Sequence, residues 1–138
     1  MKRALGIDHG EARIGLAISD ELGMLAHPLE TLHLKEVADP IARIADLAAR
    51  EKLGIIVVGL PRNMNGTYGP AAEKVCAFAE KLRAAVSCEV KLWDERLTSV
   101  AAQRSLHEAG RDVKKSRAVI DQVAAQLILQ GWLDSQAM

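Results

Sequence analysis

The stretch GIDHGEARIGLAISDE, from Gly6 to Glu21, decides how this chain is read. An apolar run leads into Asp8, Gly10 follows, and the chain climbs at once into a second apolar run. The pattern predicts two short strands, residues 3–9 and 13–19, joined by a tight connection around Gly10 and Glu11. A carboxylate where a buried strand meets a glycine turn is costly unless something positive comes to it. Such a position suits a metal ligand or a site of phosphate chemistry better than a surface charge. The structural alternative is a turn aspartate satisfied by the amides of Gly10 or Glu11, and Asp8 alone does not decide between the two.

Outward from this pair, a third strand is expected over 24–32, with Pro28 marking an edge or a bulge. Asp39-Pro40 is a helix start, an N-cap followed by proline at the first helical position. Ile41, Ile44, Leu47 and Ala48 mark its buried face, and Gly54 ends the region. IIVVG, from Ile55, is a β-branched run typical of a strand covered on both faces. Gly69-Pro70 opens a second helix with Val75, Phe78, Ala79, Leu82 and Val86 on its core side. EVKLWDE, 89–95, is the next strand. Thr98 or Ser99 is placed to cap a third helix ending near Gly110, and a last helix runs from about Lys114 to Leu133. The order βββ-α-β-α-β-α-α implies an α/β domain: a mixed five-stranded sheet with helices on both faces, spanning 1–138 as one unit.

With 49% hydrophobic residues in 138, the chain is long enough to bury a core. No apolar run reaches the length of a membrane span, and Asp8 interrupts the N-terminal apolar segment before it could direct export. Cys76 and Cys88 fit neither a zinc pattern nor a redox pair. The expected location is the cytoplasm. Net charge is zero, yet the stretch from Arg96 to Arg117 holds Arg96, Arg104, Arg111, Lys114, Lys115 and Arg117 against Glu108 and Asp112. Local field governs the binding of a polyanion, so this segment is a candidate phosphate surface. A solvated helix face has the same composition.

Two further acids share the awkward placement of Asp8. In EVKLWDERLTS, strand alternation puts Lys91, Trp93 and Glu95 on one face and Val90, Leu92 and Asp94 on the other. Glu95 therefore stands at a strand end, where loops converge above an α/β sheet; the plainer reading is a solvent pair with Arg96. In the last helix Ile120, Val123, Ala124 and Leu127 form one stripe, and Ala125, Ile128 and Trp132 extend apolar surface around another. A helix apolar over so much of its circumference is buried. Asp121 shares a face with Ala124, Ala125 and Ile128, and the alanines let the helix approach the sheet closely. Its plainer reading is a helical pair with Arg117. Taken together, the three acids repel one another unless cations intervene, and hard divalent ions prefer oxygen ligands. Two such ions about 4 Å apart can activate a water and steady the leaving oxygen of a phosphodiester.

The chain contains no P-loop, GxGxxG, GxSxG or HExxH motif. His27, His33 and His107 have no ligand spacing, and of the four histidines only His9, next to Asp8, is placed near substrate. GLPRNMNGT, 59–67, fixes a shaped turn after a buried strand. It makes Arg62 and Thr67 available to a phosphate; the plainer reading is a structural turn.

GIDHGEARIGLAISD, VVGLPRNMNGT, DERLTS and KKSRAVIDQVAAQLILQ, in this order and over essentially the whole length, resemble the YqgF family, also called RuvX. His9 stands where relatives often carry an aromatic residue or proline, and Asn65 replaces the aspartate of a frequent MDG. The resemblance implies an RNase H-like fold and a metal-dependent nuclease, with its acids on Asp8, Glu95 and Asp121. It also implies Mg²⁺ or Mn²⁺ as cofactor, two ions, and structured RNA or branched DNA as partner. Family members are associated with maturation of the 5′ end of pre-16S rRNA and some with cleavage of Holliday junctions. The expected contacts to nucleic acid are Arg13, Arg62, Arg96, Lys114, Lys115 and Arg117. The assembly is a monomer or a homodimer. Of other classes, an actin-like ATPase needs a second domain that this length has no room for. A factor that binds nucleic acid without cutting it would use the same surface.

Overall fold

A computed structural model describes residues 2–61, 67–95 and 113–137, with side chains from Asp121 onward in the last segment. Its strands are β1 (Ala4–His9), β2 (Arg13–Ser19), β3 (Ala26–His33), β4 (Ile55–Leu60) and β5 (Glu89–Asp94). Its helices are α1 (Pro40–Arg50), α2 (Pro70–Ala85) and α3 (Val113–Gln136). The expected helix between Thr98 and Gly110 lies outside the described residues, as do Arg62, Arg96, Arg104 and Arg111. So do the side chains of Lys114, Lys115 and Arg117.

The sheet is mixed and five-stranded, in the order β3-β2-β1-β4-β5. β1, β2 and β3 pair antiparallel, while β4 and β5 run parallel to β1. The tight connection from β1 to β2 is closed by Gly10 N–H donating to Arg13 O at 2.9 Å. The register between β2 and β3 shifts between Leu16 and Ala17, whose partners are Glu30 and Pro28. Leu29 is therefore the bulged residue, beside a proline that cannot donate to the ladder, and β3 is an edge strand.

The two faces of the sheet are packed in different ways. Leu5, Ile7, Ile14, Leu16, Ile56 and Val58 bury against α1 and α2, which contribute Ile44, Leu47, Val75, Phe78 and Leu82. Burying each such side chain stabilises the fold by about 1.5–3 kcal/mol. The opposite face is small-residued: Ala4, Ala17, Ala26 and Val57 meet Ala124, Ala125, Ile128, Leu129, Trp132 and Leu133 of α3. Of the two stripes expected on this helix, the one through Ala125, Ile128 and Trp132 is the buried seam, and Val123 and Leu127 lie at its margin. Glutamines fasten the same helix to the edge strand. Gln126 Nε2 donates to Ala26 O at 2.9 Å, Gln130 Oε1 accepts from Ala26 N at 2.8 Å, and Gln122 Nε2 donates to Thr31 Oγ1 at 3.2 Å.

α1 begins as the sequence dictates, with the Asp39 carboxylate accepting from Ala42 N at 3.0 Å. Its end differs. The helix stops at Arg50, and Lys52 takes the left-handed conformation at φ 52°, while Leu53 N reaches back to Ala48 O at 3.0 Å. Gly54, expected to end the region, serves close approach instead. Its N–H donates to Arg3 O, and an added Cβ would lie 2.9 Å from Lys2 Cβ.

Three sheet glycines set how near α3 can come. A Cβ on Gly6 would lie 2.7 Å from Ala125 O, one on Gly15 would overlap the Asp121 carbonyl, and one on Gly59 would overlap Ile128 Cδ1. Because the obstacle at Gly15 is helix backbone, it cannot yield by rotating a side chain. Gly15→Ala is expected to destabilise the fold by about 1–3 kcal/mol, the usual cost of overpacking, as read from urea denaturation.

Candidate active site

Alternation along β1 sends Ala4, Gly6 and Asp8 to the α3 face and Leu5, Ile7 and His9 to the other. Asp8 is 4% exposed, an unusual degree of burial for a carboxylate. Glycines flank it on both neighbouring strands. Gly15 of β2 is its direct partner, and Gly59 of β4 stands one step beyond the Ile7–Val58 pair. The missing side chains leave room above Asp8. The α3 backbone at Asp121 fills the side over Gly15, with Asp121 Cβ 3.0 Å from where a Gly15 Cβ would stand. Glu95 fills the other side, its Oε1 2.9 Å from the corresponding point on Gly59. Glu95 follows directly on β5, on the face of Trp93, as strand alternation requires.

The fold thus brings the three acids to one face and one level of the sheet, at the end where β1, β4 and β5 all point their C-termini. The structure also supplies a cation that sequence reading did not connect to them. Arg13, the first residue of β2, donates from Nε to Asp121 Oδ2 at 2.7 Å, across 108 positions in sequence. Their side chains are 24% and 15% exposed. The plainer expectation for Asp121 gave it Arg117, whose side chain is outside the described residues. Among the described residues, a partner comes from the sheet. Carboxylate oxygens are a donor set matched to hard divalent ions. Among the described residues, however, no three acids, histidines or cysteines stand close enough to share one ion.

His9 leaves the acids altogether. Its ring stacks on Phe78 of α2 at 4.5 Å between centroids, and it lines a groove of about 590 Å³ with Glu11, Asp39, Lys74, Phe78 and Lys81. Lys74 pairs with Glu11 at 3.0 Å and holds that carboxylate below its ordinary range. Burial pushes the His9 imidazole below its ordinary pKa, and the charge of Lys74 adds to the effect.

A mixed five-stranded sheet in the order β3-β2-β1-β4-β5, covered on one face by α3, is an RNase H-like fold. The RuvX family, described as Holliday junction resolvase, matches residues 2–135, and the chain belongs to it. A relative from Acetivibrio thermocellus is 46% identical over 97% of this chain and 96% of its own length. One from Clostridium botulinum strain Hall is 45% identical over 96% and 97%. Both carry the provisional name pre-16S rRNA nuclease. Among solved structures, RuvC of T. thermophilus in complex with a Holliday junction substrate aligns with a TM-score of 0.60. It covers 99% of this chain and 96% of RuvC at 18% identity. Fowlpox virus resolvase with Holliday junction DNA aligns at 0.58 and 11% identity, covering 99% of each chain. These two establish the shared fold. No helix among the described residues is long and apolar enough to cross a membrane.

The depressed pKa of His9 carries a consequence for stability. As pH falls through the unfolded value, near 6.5, the unfolded chain takes up a proton at this position and the folded chain does not. Folding stability therefore declines with acid in the window below that value. Replacing His9 with Phe is expected to flatten the decline relative to the parent protein, measured by urea unfolding at pH 7.5 and at successively lower pH.

Proposed function

We propose that this protein is a metal-dependent endonuclease of the cytoplasm, acting on structured nucleic acid, and that its substrate is the 5′ end of pre-16S rRNA. The observation that carries the reading is the buried Asp8 between Gly15 and Gly59, with Glu95 and Asp121 brought over it from opposite sides. Asp8 would contribute to holding both of two Mg²⁺ or Mn²⁺ ions, with Glu95 and Asp121 each helping to hold one. Bound divalent ions of this kind activate a water and stabilise the leaving oxygen of a phosphodiester. The chain's own part is placement. Strand β1 fixes Asp8 in a site walled from solvent, the end of β5 supplies Glu95, and the glycine-floored seam sets Asp121 over β2. Arg62, Arg96, Lys114, Lys115 and Arg117 would grip the phosphates on either side of the cut.

Support for RNA as substrate comes from the full-length relatives at 45–46% identity and their name. The family description favours a second reading, cleavage of branched DNA at Holliday junctions. A resolvase makes two symmetry-related nicks and so works as a two-fold dimer. The apolar seam of α3 is turned inward onto the sheet and is not offered to a second copy.

The deciding experiment offers a precursor rRNA fragment and a mobile four-way junction to the protein under identical Mn²⁺ conditions, alongside a measurement of solution mass. Cleavage of the RNA is expected. Asp8→Asn, which keeps the shape and removes the charge, is expected to abolish cleavage while thermal melting shows the fold intact. Undiminished turnover by metal-replete Asp8→Asn removes Asp8 from the mechanism. A stable dimer that nicks the junction symmetrically and ignores the RNA selects the second reading.

The basic stretch has its own signature. Each neutralised phosphate contributes about −0.9 to the slope of log affinity against log salt on duplex DNA. Replacing Lys114, Lys115 and Arg117 with Gln is expected to weaken binding and flatten that slope in a filter-binding series. An unchanged slope and affinity would mark the stretch as a solvated face.

A further inference from the structure

We propose that Arg13 is the resident counter-ion of Asp121, a competitor that a divalent cation must displace before Asp121 can serve as its ligand. The inference rests on the reading of Asp121 as a metal ligand and specifies how that ligand is held before the metal arrives. Three carboxylates at one level of a sheet raise one another's energy unless positive charge is close. Arg13 supplies that charge at Asp121, through a charge-assisted bond of 2.7 Å at a position about four-fifths shielded from solvent. Its placement is built in. Arg13 lies on the α3 face of β2, two residues before Gly15, and the absence of a side chain at Gly15 is what lets the helix lower Asp121 to within its reach. Like the strand, the helix is held by buried packing, so the pair meets in the folded protein without any ligand.

Two features make this pair an exchangeable clamp. A guanidinium does not titrate in the accessible range, so Arg13 keeps its charge throughout and is removed only by a competitor for the carboxylate. The bond runs through Nε to one carboxylate oxygen, so the grip is narrower than the two-point fork that guanidinium and carboxylate can form. An ion held in part by Asp8 and Glu95 would take Asp121 in place of Arg13, and the freed guanidinium would be left at the mouth of the site. There it is available to a phosphate of the substrate. Metal loading and the unmasking of an anion-binding arginine are then one event, which reconciles the nucleic-acid role expected for Arg13 with its contact to an acid.

The test reads metal binding directly, without nucleic acid, by titrating Mn²⁺ and following the free ion by electron paramagnetic resonance. Arg13→Gln is expected to bind Mn²⁺ about tenfold more tightly than the parent, in keeping with the loss of a partly shielded charged hydrogen bond. Lys74→Gln, which removes the same charge from the opposite face, is expected to leave the affinity unchanged. In an Asp121→Asn background the effect of Arg13→Gln should vanish, because the competition has lost its object. Should Arg13→Gln fail to fold, Arg13→Lys, which keeps the charge and lacks Nε, carries the comparison and is expected to bind more tightly than the parent. Equal or weaker affinity in the folded variants overturns the inference, as does a gain that persists with Asp121→Asn. If no form binds Mn²⁺ the inference also falls, and cleavage that then persists in chelator would remove the metal from the proposed function as well.

Discussion

The close approach of α3 to the sheet is the constraint on which the site depends. Gly6, Gly15 and Gly59 on three adjacent strands, with Ala124 and Ala125 on the helix, take the place of the bulky aliphatic layer found on the other face. A helix separated from the sheet by leucine and isoleucine would hold Asp121 a side chain's height above β1 and β2. Here its backbone rests on Gly15, the direct partner of Asp8. Interior packing tolerates little change of volume, so the small residues fix a distance as well as fill a space.

The same closeness creates the electrostatic problem that gives the site its character. Asp8 is almost wholly shielded, Asp121 largely so, and Glu95 leans over Gly59. Shielding strengthens every interaction between these groups, favourable or not. Arg13 answers part of the imbalance from within the fold. The adjoining residue His9 lives under opposite rules: it is turned to the aliphatic face, stacked on Phe78 and held towards its neutral form. One peptide bond separates a residue kept for its charge from one kept largely without it.

Much of this was legible in the sequence because it rests on local periodicity. Alternation along EVKLWDE assigned Trp93 and Glu95 to one face correctly, and Asp39-Pro40 announced the start of α1. Pro28 announced the irregular edge strand. The alanines beside Asp121 announced close packing, and the glycines it requires are in the quoted first stretch and in IIVVG. What was not legible is pairing across distance. Nothing in the local pattern at Arg13 or Asp121 points 108 positions away. The end of α1 failed for a related reason. Glycine is the residue that adopts the left-handed conformation most readily, yet Lys52 adopts it, and Gly54 is there for the chain that passes beside it. Gly15 and Gly59 show the same lesson: their meaning lies in which element descends on them.

The glutamines along α3 have a mechanical meaning as well as a role in covering an edge. Contacts among alanine, leucine and isoleucine are non-directional and resist sliding only weakly, so apolar packing alone sets the height of a helix better than its position along its own axis. Gln122, Gln126 and Gln130, one turn apart, are bonded to fixed points on or beside β3. They act as detents, and a shift of one residue would dislodge all three. Gln122 adjoins Asp121, so the axial coordinate of the acid is set by amide hydrogen bonds to the far rim of the sheet, two strands away from Asp8.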